Sequence, residues 1–363
     1  ATALPAAGAD DLQPLSAKTL WDMDRVGTPV VAPDGRHVVV PVTSHDTEDG
    51  EAQTRLWLLA TGAGPAQRPL TAEGATASSP VFSPDGAHLA FVSKRHEDEA
   101  GQIYVLPMDG PGEATRLTDV PTGVSALRWV GEHLYFISRV WPGKTFEEMA
   151  EALKAEAESK VTAMVWTQMP YSSWDHYLEA HREHHLYRIR ASGGAPEPIT
   201  PATGRRLSQG NAGTGDYDVA PDGVTVAFVA DSREGEAHGN PDLFLLHLDT
   251  GEVRNLTPDN PAPDGHPAFS PDGTTLAFTR QRIAGFYGDQ RRLVLHDLAS
   301  GEQTELHEDW DRAADGLVWA ADGAGLYGAV SDAGTRRVWY LPADSDGEPA
   351  PVTGATDFDG LAV

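Results

Sequence analysis

Val81-Phe82-Ser83-Pro84-Asp85-Gly86, followed closely by the apolar run Leu89-Ala90-Phe91-Val92, decides the fold, because the same unit returns along the chain. It stands as Val30-Val31-Ala32-Pro33-Asp34-Gly35 before Val38-Val39-Val40, and as Ala220-Pro221-Asp222-Gly223 before Val226-Ala227-Phe228-Val229. Phe269-Ser270-Pro271-Asp272-Gly273 before Leu276-Ala277-Phe278 is a fourth copy. Ala321-Asp322-Gly323 before Leu326-Tyr327 is a shorter one, and Trp129-Val130-Gly131-Glu132 before Leu134-Tyr135-Phe136 is worn. Proline presets φ at the first corner of a turn, aspartate bonds nearby amides, and glycine accepts the left-handed conformation that closes a hairpin. Each copy therefore predicts two antiparallel strands.

The turn glycines are spaced by 51, 45, 92, 50 and 50 residues, a unit of roughly 50 with an insertion of roughly 40 in the third copy. A third strand repeats as Leu56-Trp57-Leu58-Leu59, Ile103-Tyr104-Val105-Leu106, Leu186-Tyr187-Arg188-Ile189, Leu243-Phe244-Leu245-Leu246, Leu293-Val294-Leu295 and Val338-Trp339-Tyr340-Leu341. Polar turns follow, then short fourth strands ending Leu70-Thr71, Leu117-Thr118, Ile199-Thr200, Leu256-Thr257 and Val352-Thr353. Four strands per unit make a propeller blade. A sandwich of unrelated hairpins would not hold this register six times.

The sequence thus predicts an all-β fold, a seven-bladed-type β-propeller with six complete four-stranded blades, a short N-terminal helix and a helical insertion in blade 3. The blades are expected at 28–71, 79–118, 125–200 with the insertion at 140–184, 216–257, 265–306 and 314–353, after an N-terminal extension at 1–27. Phe358-Asp359-Gly360-Leu361-Ala362-Val363 looks like the first strand of a seventh blade, so the ring is expected to close through something outside this sequence or to stay open.

Lys and Arg number 27 against 54 Asp and Glu, a net charge of −27, which repels nucleic-acid phosphates and anionic headgroups and excludes both as partners. With no apolar run of about 18 residues, no membrane-spanning helix is expected and the protein reads as soluble. Cysteine is absent, removing disulfides, thiolate metal sites and thiol nucleophiles. The opening Ala-Thr-Ala-Leu-Pro lacks both an initiator Met and a charged leader, which reads as processing or a boundary. The compartment stays open, with the cytoplasm favoured.

Three stretches outside the repeats carry a family likeness. Thr19-Leu20-Trp21-Asp22-Met23-Asp24-Arg25-Val26-Gly27-Thr28-Pro29 resembles the helix and "Arg-Val-(Ser/Gly)-x-Pro" opening of the prolyl oligopeptidase family of serine peptidases. Met169-Pro170-Tyr171-Ser172-Ser173-Trp174-Asp175-His176-Tyr177-Leu178, running on to His184-His185-Leu186-Tyr187, is similar to a segment of acylaminoacyl-peptidase and dipeptidyl-peptidase-five-like members. Arg282-Ile283-Ala284-Gly285-Phe286 looks like their "Arg/Lys-x-Gly-Phe" loop. The resemblance spans roughly residues 15–363. It implies that this propeller caps an α/β-hydrolase domain following it in sequence and acts as size filter and orienter for short peptides. No Gly-x-Ser-x-Gly nucleophile elbow occurs in the chain. The Ser-Asp-His triad is therefore expected beyond Val363, and this chain alone is expected to be inactive. The rival reading is a stand-alone TolB-like propeller that serves as a protein-binding scaffold.

Blade geometry puts the Pro-Asp-Gly turns on one face of the disc and the second-to-third connections on the other. Those connections are long, at 43–54, 94–101, 139–184, 231–241 and 280–291, and loops of that length tend to carry binding. Arg139, Arg280 and Arg282 each follow a second strand there, and a guanidinium can hold a peptide's terminal carboxylate bidentately. They are the candidate substrate-binding residues, with a salt bridge to one of the many acidic residues as the alternative. Thr145-Phe146-Glu147-Glu148 has capping-box form and opens a helix through Met149–Ala157, read either as surface decoration or as a lid or chamber wall. His181-Arg182-Glu183-His184-His185 matches no metal motif and reads as a solvated hinge, and Asp344-Ser345-Asp346-Gly347 reads as a polar turn. No metal or cofactor is expected. The partners expected are a short peptide and a hydrolase domain, with homo-oligomer formation left open.

Overall fold

The computed structural model describes residues 15–363 apart from 47, 49, 63–66, 111, 167–171, 180, 234–238, 356, 359, 360 and 363. Among the described residues six antiparallel blade sheets follow one another, the last five with their four strands in chain order, and a separate two-stranded hairpin lies within the blade 3 insertion. Blade 2 is Ala77–Phe82, His88–Ser93, Gln102–Pro107 and Thr115–Arg116. Blade 5 repeats it as Asp264–Phe269, Thr275–Arg280, Arg292–Asp297 and Gln303–Leu306. Blade 1 gains a fifth piece, because Arg25–Val26 pairs with Val42 and Thr43 ahead of the Val30–Val31 strand. Its sheet thus begins inside the expected extension.

The turns show why the repeat folds as it does. Gly35, Gly86, Gly223, Gly273 and Gly323 all lie at φ between 67° and 72°. Each donates its amide to the carbonyl three residues back, Gly86 to Ser83 at 2.8 Å and Gly273 to Ser270 at 2.9 Å. The aspartate between accepts the amide two residues on, as Asp85 does from Ala87 at 3.0 Å. The Ser83 hydroxyl and that amide hold the Asp85 carboxyl below its ordinary value. Neighbouring turns touch: a Cβ on Gly86 would meet Pro33, and one on Gly273 would meet Pro221. They share one face.

The Leu-Thr that ends the fourth strands has its own task. Thr71, Thr118, Thr200, Thr257 and Thr353 each accept, through the hydroxyl, the amide of Leu56, Ile103, Leu186, Leu243 or Val338, at 2.9–3.1 Å. Each short outer strand is thereby fastened to the third. Blade 5 has Leu306-His307 instead, and the His307 ring reaches the Pro342 carbonyl of blade 6 at 3.0 Å.

Packing between blades supplies the core. Val39 and Leu56 meet Phe91 and Tyr104; Ala90 and Ile103 meet Phe136 and Tyr187; Tyr135 meets Tyr217 and Phe228. Val229 and Leu243 meet Phe269 and Phe278, and Ala277 meets Trp319 and Trp339. Each of the larger aliphatic and aromatic side chains among them, taken from water, contributes roughly 1.5–3 kcal/mol. None of these clusters joins blade 6 to blade 1. The expected seventh-blade strand is not formed by the described residues of 357–363. Instead Asp357 accepts the Arg336 amide at 2.7 Å and Phe358 donates to the Arg336 carbonyl at 3.0 Å. The fourth strand of blade 6, Ala350–Pro351, is too short to use those groups, so the tail takes them.

Two other expectations change. The 43–54 connection is mostly strand, since His37–His45 and Ala52–Ala60 pair along their whole length and Thr43 and Thr54 share a 2.7 Å hydroxyl bond. The histidine cluster is no solvated hinge: Glu183–Arg190 is the third strand of blade 3, with His184 and His185 buried. The blade 3 insertion does hold a helix, α1, at Phe146–Glu158, opened by the Thr145/Glu148 capping box and seated through Met149. The short N-terminal helix is Ala17–Trp21. Among the described residues no helix is long and apolar enough to cross a membrane.

Candidate functional site

First strands of successive blades contact one another, those of blades 3 and 4 through the Tyr217 hydroxyl, which donates to the Ala126 carbonyl, and this places them around the axis. In blades 2, 3, 5 and 6 this inner strand carries a bulge near its long-loop end, between Ser78 and Val81, Ser125 and Arg128, Gly265 and Ala268, and Asp315 and Val318. Ser79, Ala126 and His266 sit there at φ of 51–55°, left-handed geometry that non-glycine residues adopt only at a cost, and Gly316 occupies the same place in blade 6. Bulges re-aim side chains at barrel rims and binding sites. Sequence reading missed these positions, because the four residues share no side-chain type.

Arg139 lies within the second strand of blade 3, His133–Val140, directly across from His184. Its Nη1 meets Glu179 Oε1 at 3.0 Å and its Nε donates to His184 Nε2 at 3.1 Å. Burial, with Arg139 nearby, lowers the His184 pKa, and the neutral ring places Nδ1 2.8 Å from the Ser208 carbonyl. Glu179 also pairs with Arg182, which lies 4.9 Å over the Trp141 ring and 3.9 Å from Glu156. Arg139, Arg182, His176, Tyr177 and Gln209 line one small pocket, in which the Arg139 side chain keeps 40% exposure.

Arg280 ends the second strand of blade 5 and turns inward. Its Nε bonds Asp264 Oδ1 at 2.9 Å, Nη2 bonds Gln303 at 2.8 Å, and the guanidinium covers Phe278. Asp264 has no side-chain exposure, and burial raises its carboxyl pKa although Asn260 and Arg280 pull it down. Arg282, two residues on, reaches outward to Glu305 on the outermost strand at 2.9 Å. The structure therefore separates the three arginines: Arg280 is locked in a buried pair, Arg282 is at the edge of blade 5, and Arg139 alone lines a pocket. Arg182 and Glu179, which complete that pocket, were not singled out from sequence; a basic residue beside the histidine cluster was the available signal.

The loop after Arg280 is braced by Asp289, whose carboxylate accepts the Arg282 and Ile283 amides at 2.6 and 3.0 Å, and it leaves Phe286 and Tyr287 exposed. Among the described residues no group of three metal-ligating side chains converges.

No family model matches the chain. It is 25% identical to a dipeptidyl-peptidase 5 of Porphyromonas gingivalis over 93% of its own length and 49% of that protein's. It is 26% identical to the Porphyromonas endodontalis dipeptidyl-peptidase 5 over 77% of its length and 40% of the relative's. The chain spans about half the length of the first of these relatives. Among solved structures it overlays an acylaminoacyl peptidase bound to Z-Gly-Gly-Phe-chloromethyl ketone with a TM-score of 0.68 at 15% identity, covering 93% of this chain and 47% of that one. The β-propeller domain of the Trilobed protease from Pyrococcus furiosus overlays at 0.58 and 14% identity, covering 91% of this chain and 83% of that one. Fold and relatives together point to a peptidase propeller. Along nearly its whole length the chain is similar to the N-terminal propeller part of prolyl oligopeptidase-family peptidases.

Proposed function

We propose that this chain is the non-catalytic half of a serine peptidase acting on short peptides. The propeller limits substrate size and its long-loop face orients the peptide, while an α/β-hydrolase part supplies the Ser-Asp-His triad. Likeness along nearly the whole chain to a dipeptidyl-peptidase 5 of twice the length is the observation that carries this reading. Arg139 is the residue best placed to meet a substrate carboxylate, since it is half exposed in a long-loop pocket and shares Glu179 with Arg182. Arg280 is committed to the buried Asp264, and Arg282 points to Glu305 at the outer edge of blade 5 rather than into a pocket.

The test uses a serine-reactive phosphonate on this chain and on the complete product of its gene. Labelling of the complete product with none on residues 1–363 is expected, together with turnover that falls as peptide length grows. Stoichiometric labelling of the 363-residue chain would refute the division of labour. A complete product without peptidase activity would favour the scaffold reading.

A further inference from the structure

The blade 3 insertion carries a second feature beside the Arg139 pocket, which His176 and Tyr177 help to line. Ser172–Ser173 and His176–Tyr177 form a two-stranded hairpin whose turn is Trp174-Asp175. Its base is fixed: the Trp166 indole donates to the Leu178 carbonyl at 2.8 Å and packs 5.2 Å from the Tyr177 ring. Its tip is presented to solvent, with Trp174 89% exposed and the Asp175 side chain 97% exposed. Trp174 adopts φ of 52°, a position in a two-residue hairpin turn where glycine is the favoured residue. A bulky indole is held there against both hydration and backbone preference, and tryptophan is among the residues enriched at the energetic centres of interfaces.

The same blade holds a cavity of the matching kind. A cleft of about 560 Å³ lies between the start of α1 and the outer strand of blade 3, within the usual range for ligand pockets. Trp141, Phe146, Tyr187 and Pro198 give it apolar walls, and Lys144 stands exposed at its rim. The tip offers an indole beside a carboxylate; the cleft offers aromatic and proline walls with the Lys144 ammonium at its rim and His185 and the Glu183–Arg206 ion pair in its lining. Within one molecule they do not meet, because Trp174 is nearly fully exposed.

We infer that the occupant of this cleft is the Trp174-Asp175 tip of a second copy of the chain, with Asp175 facing the partner copy's Lys144 and the indole lying against the aromatic wall. One chain carries both halves, so the contact assembles copies, either reciprocally in a pair or head to tail.

Sedimentation velocity of the 363-residue chain over a range of concentrations tests this. Reversible association is expected, weakened roughly 30-fold by Trp174→Gly, the loss typical of an anchor residue. That substitution suits the turn backbone, so folding should be retained. Asp175→Lys and Lys144→Glu should each weaken association, and the double variant should restore it. A chain that stays monomeric up to its solubility limit overturns the inference. So does a Trp174→Gly variant that associates like the parent, or a charge exchange without rescue.

Discussion

Arg280→Ala separates an anchoring from a structural role for this residue. The substitution removes the 2.9 Å bond to Asp264 and the 2.8 Å bond to Gln303, leaving a carboxylate with no side-chain exposure and no cation bonded to it. Removing one partner of a buried pair costs about 3–5 kcal/mol, and the 20% exposure of the Arg280 side chain puts the expectation near the lower end, about 3 kcal/mol. The loss should depend on pH in a definite direction. Burial already raises the Asp264 pKa, so this group contributes stability below the ordinary carboxylate value and loses it as pH rises through the folded value. Without Arg280 the folded value moves higher still. The gap between parent and variant should therefore be small at about pH 4, widen as pH rises through the variant's raised value, and level off by neutrality. Urea unfolding followed by tryptophan fluorescence at both pH values measures it. A variant within about 0.5 kcal/mol of the parent at neutral pH, or an equal gap at both, would show that the pair does not hold blade 5 together.

Two further outcomes follow from the geometry. Thr118→Val, nearly isosteric, should cost about 1–3 kcal/mol, because it strands the buried Ile103 amide and removes the donor to Gln102; hydrogen exchange should quicken at Ile103 first. Arg139→Ala in the complete peptidase should lower kcat/KM roughly 10 to 150-fold for peptides with a free C-terminus and leave amidated peptides nearly unchanged. Equal losses on both would assign Arg139 to its ion pair with Glu179 instead.

The repeat, the hairpins, the blade order and α1 were legible in the sequence because each rests on local chemistry. Pro-Asp-Gly closes a turn within four residues, and Thr145 with Glu148 caps a helix within three. Leu-Thr at each fourth strand was visible as a pattern, but its purpose was not: the hydroxyl bonds an amide some fifteen residues away. What arginines do was also beyond the sequence. Arg139, Arg280 and Arg282 occupy similar places after similar strands, yet tertiary packing gives one a half-open pocket, one a buried aspartate and one an edge glutamate. His184 and His185, read as solvent-facing, are core residues because strand pairing with His133–Val140 carries them under the blade, while His181 before the strand is exposed. The inner-strand bulges and the exposed Trp174 turn have no local signature, since left-handed geometry at Ser79, Ala126, His266 and Trp174 is imposed on ordinary residues by the strands around them. Periodic, short-range bonds are written in sequence; the partner a long side chain finds is decided by which blade stands beside it.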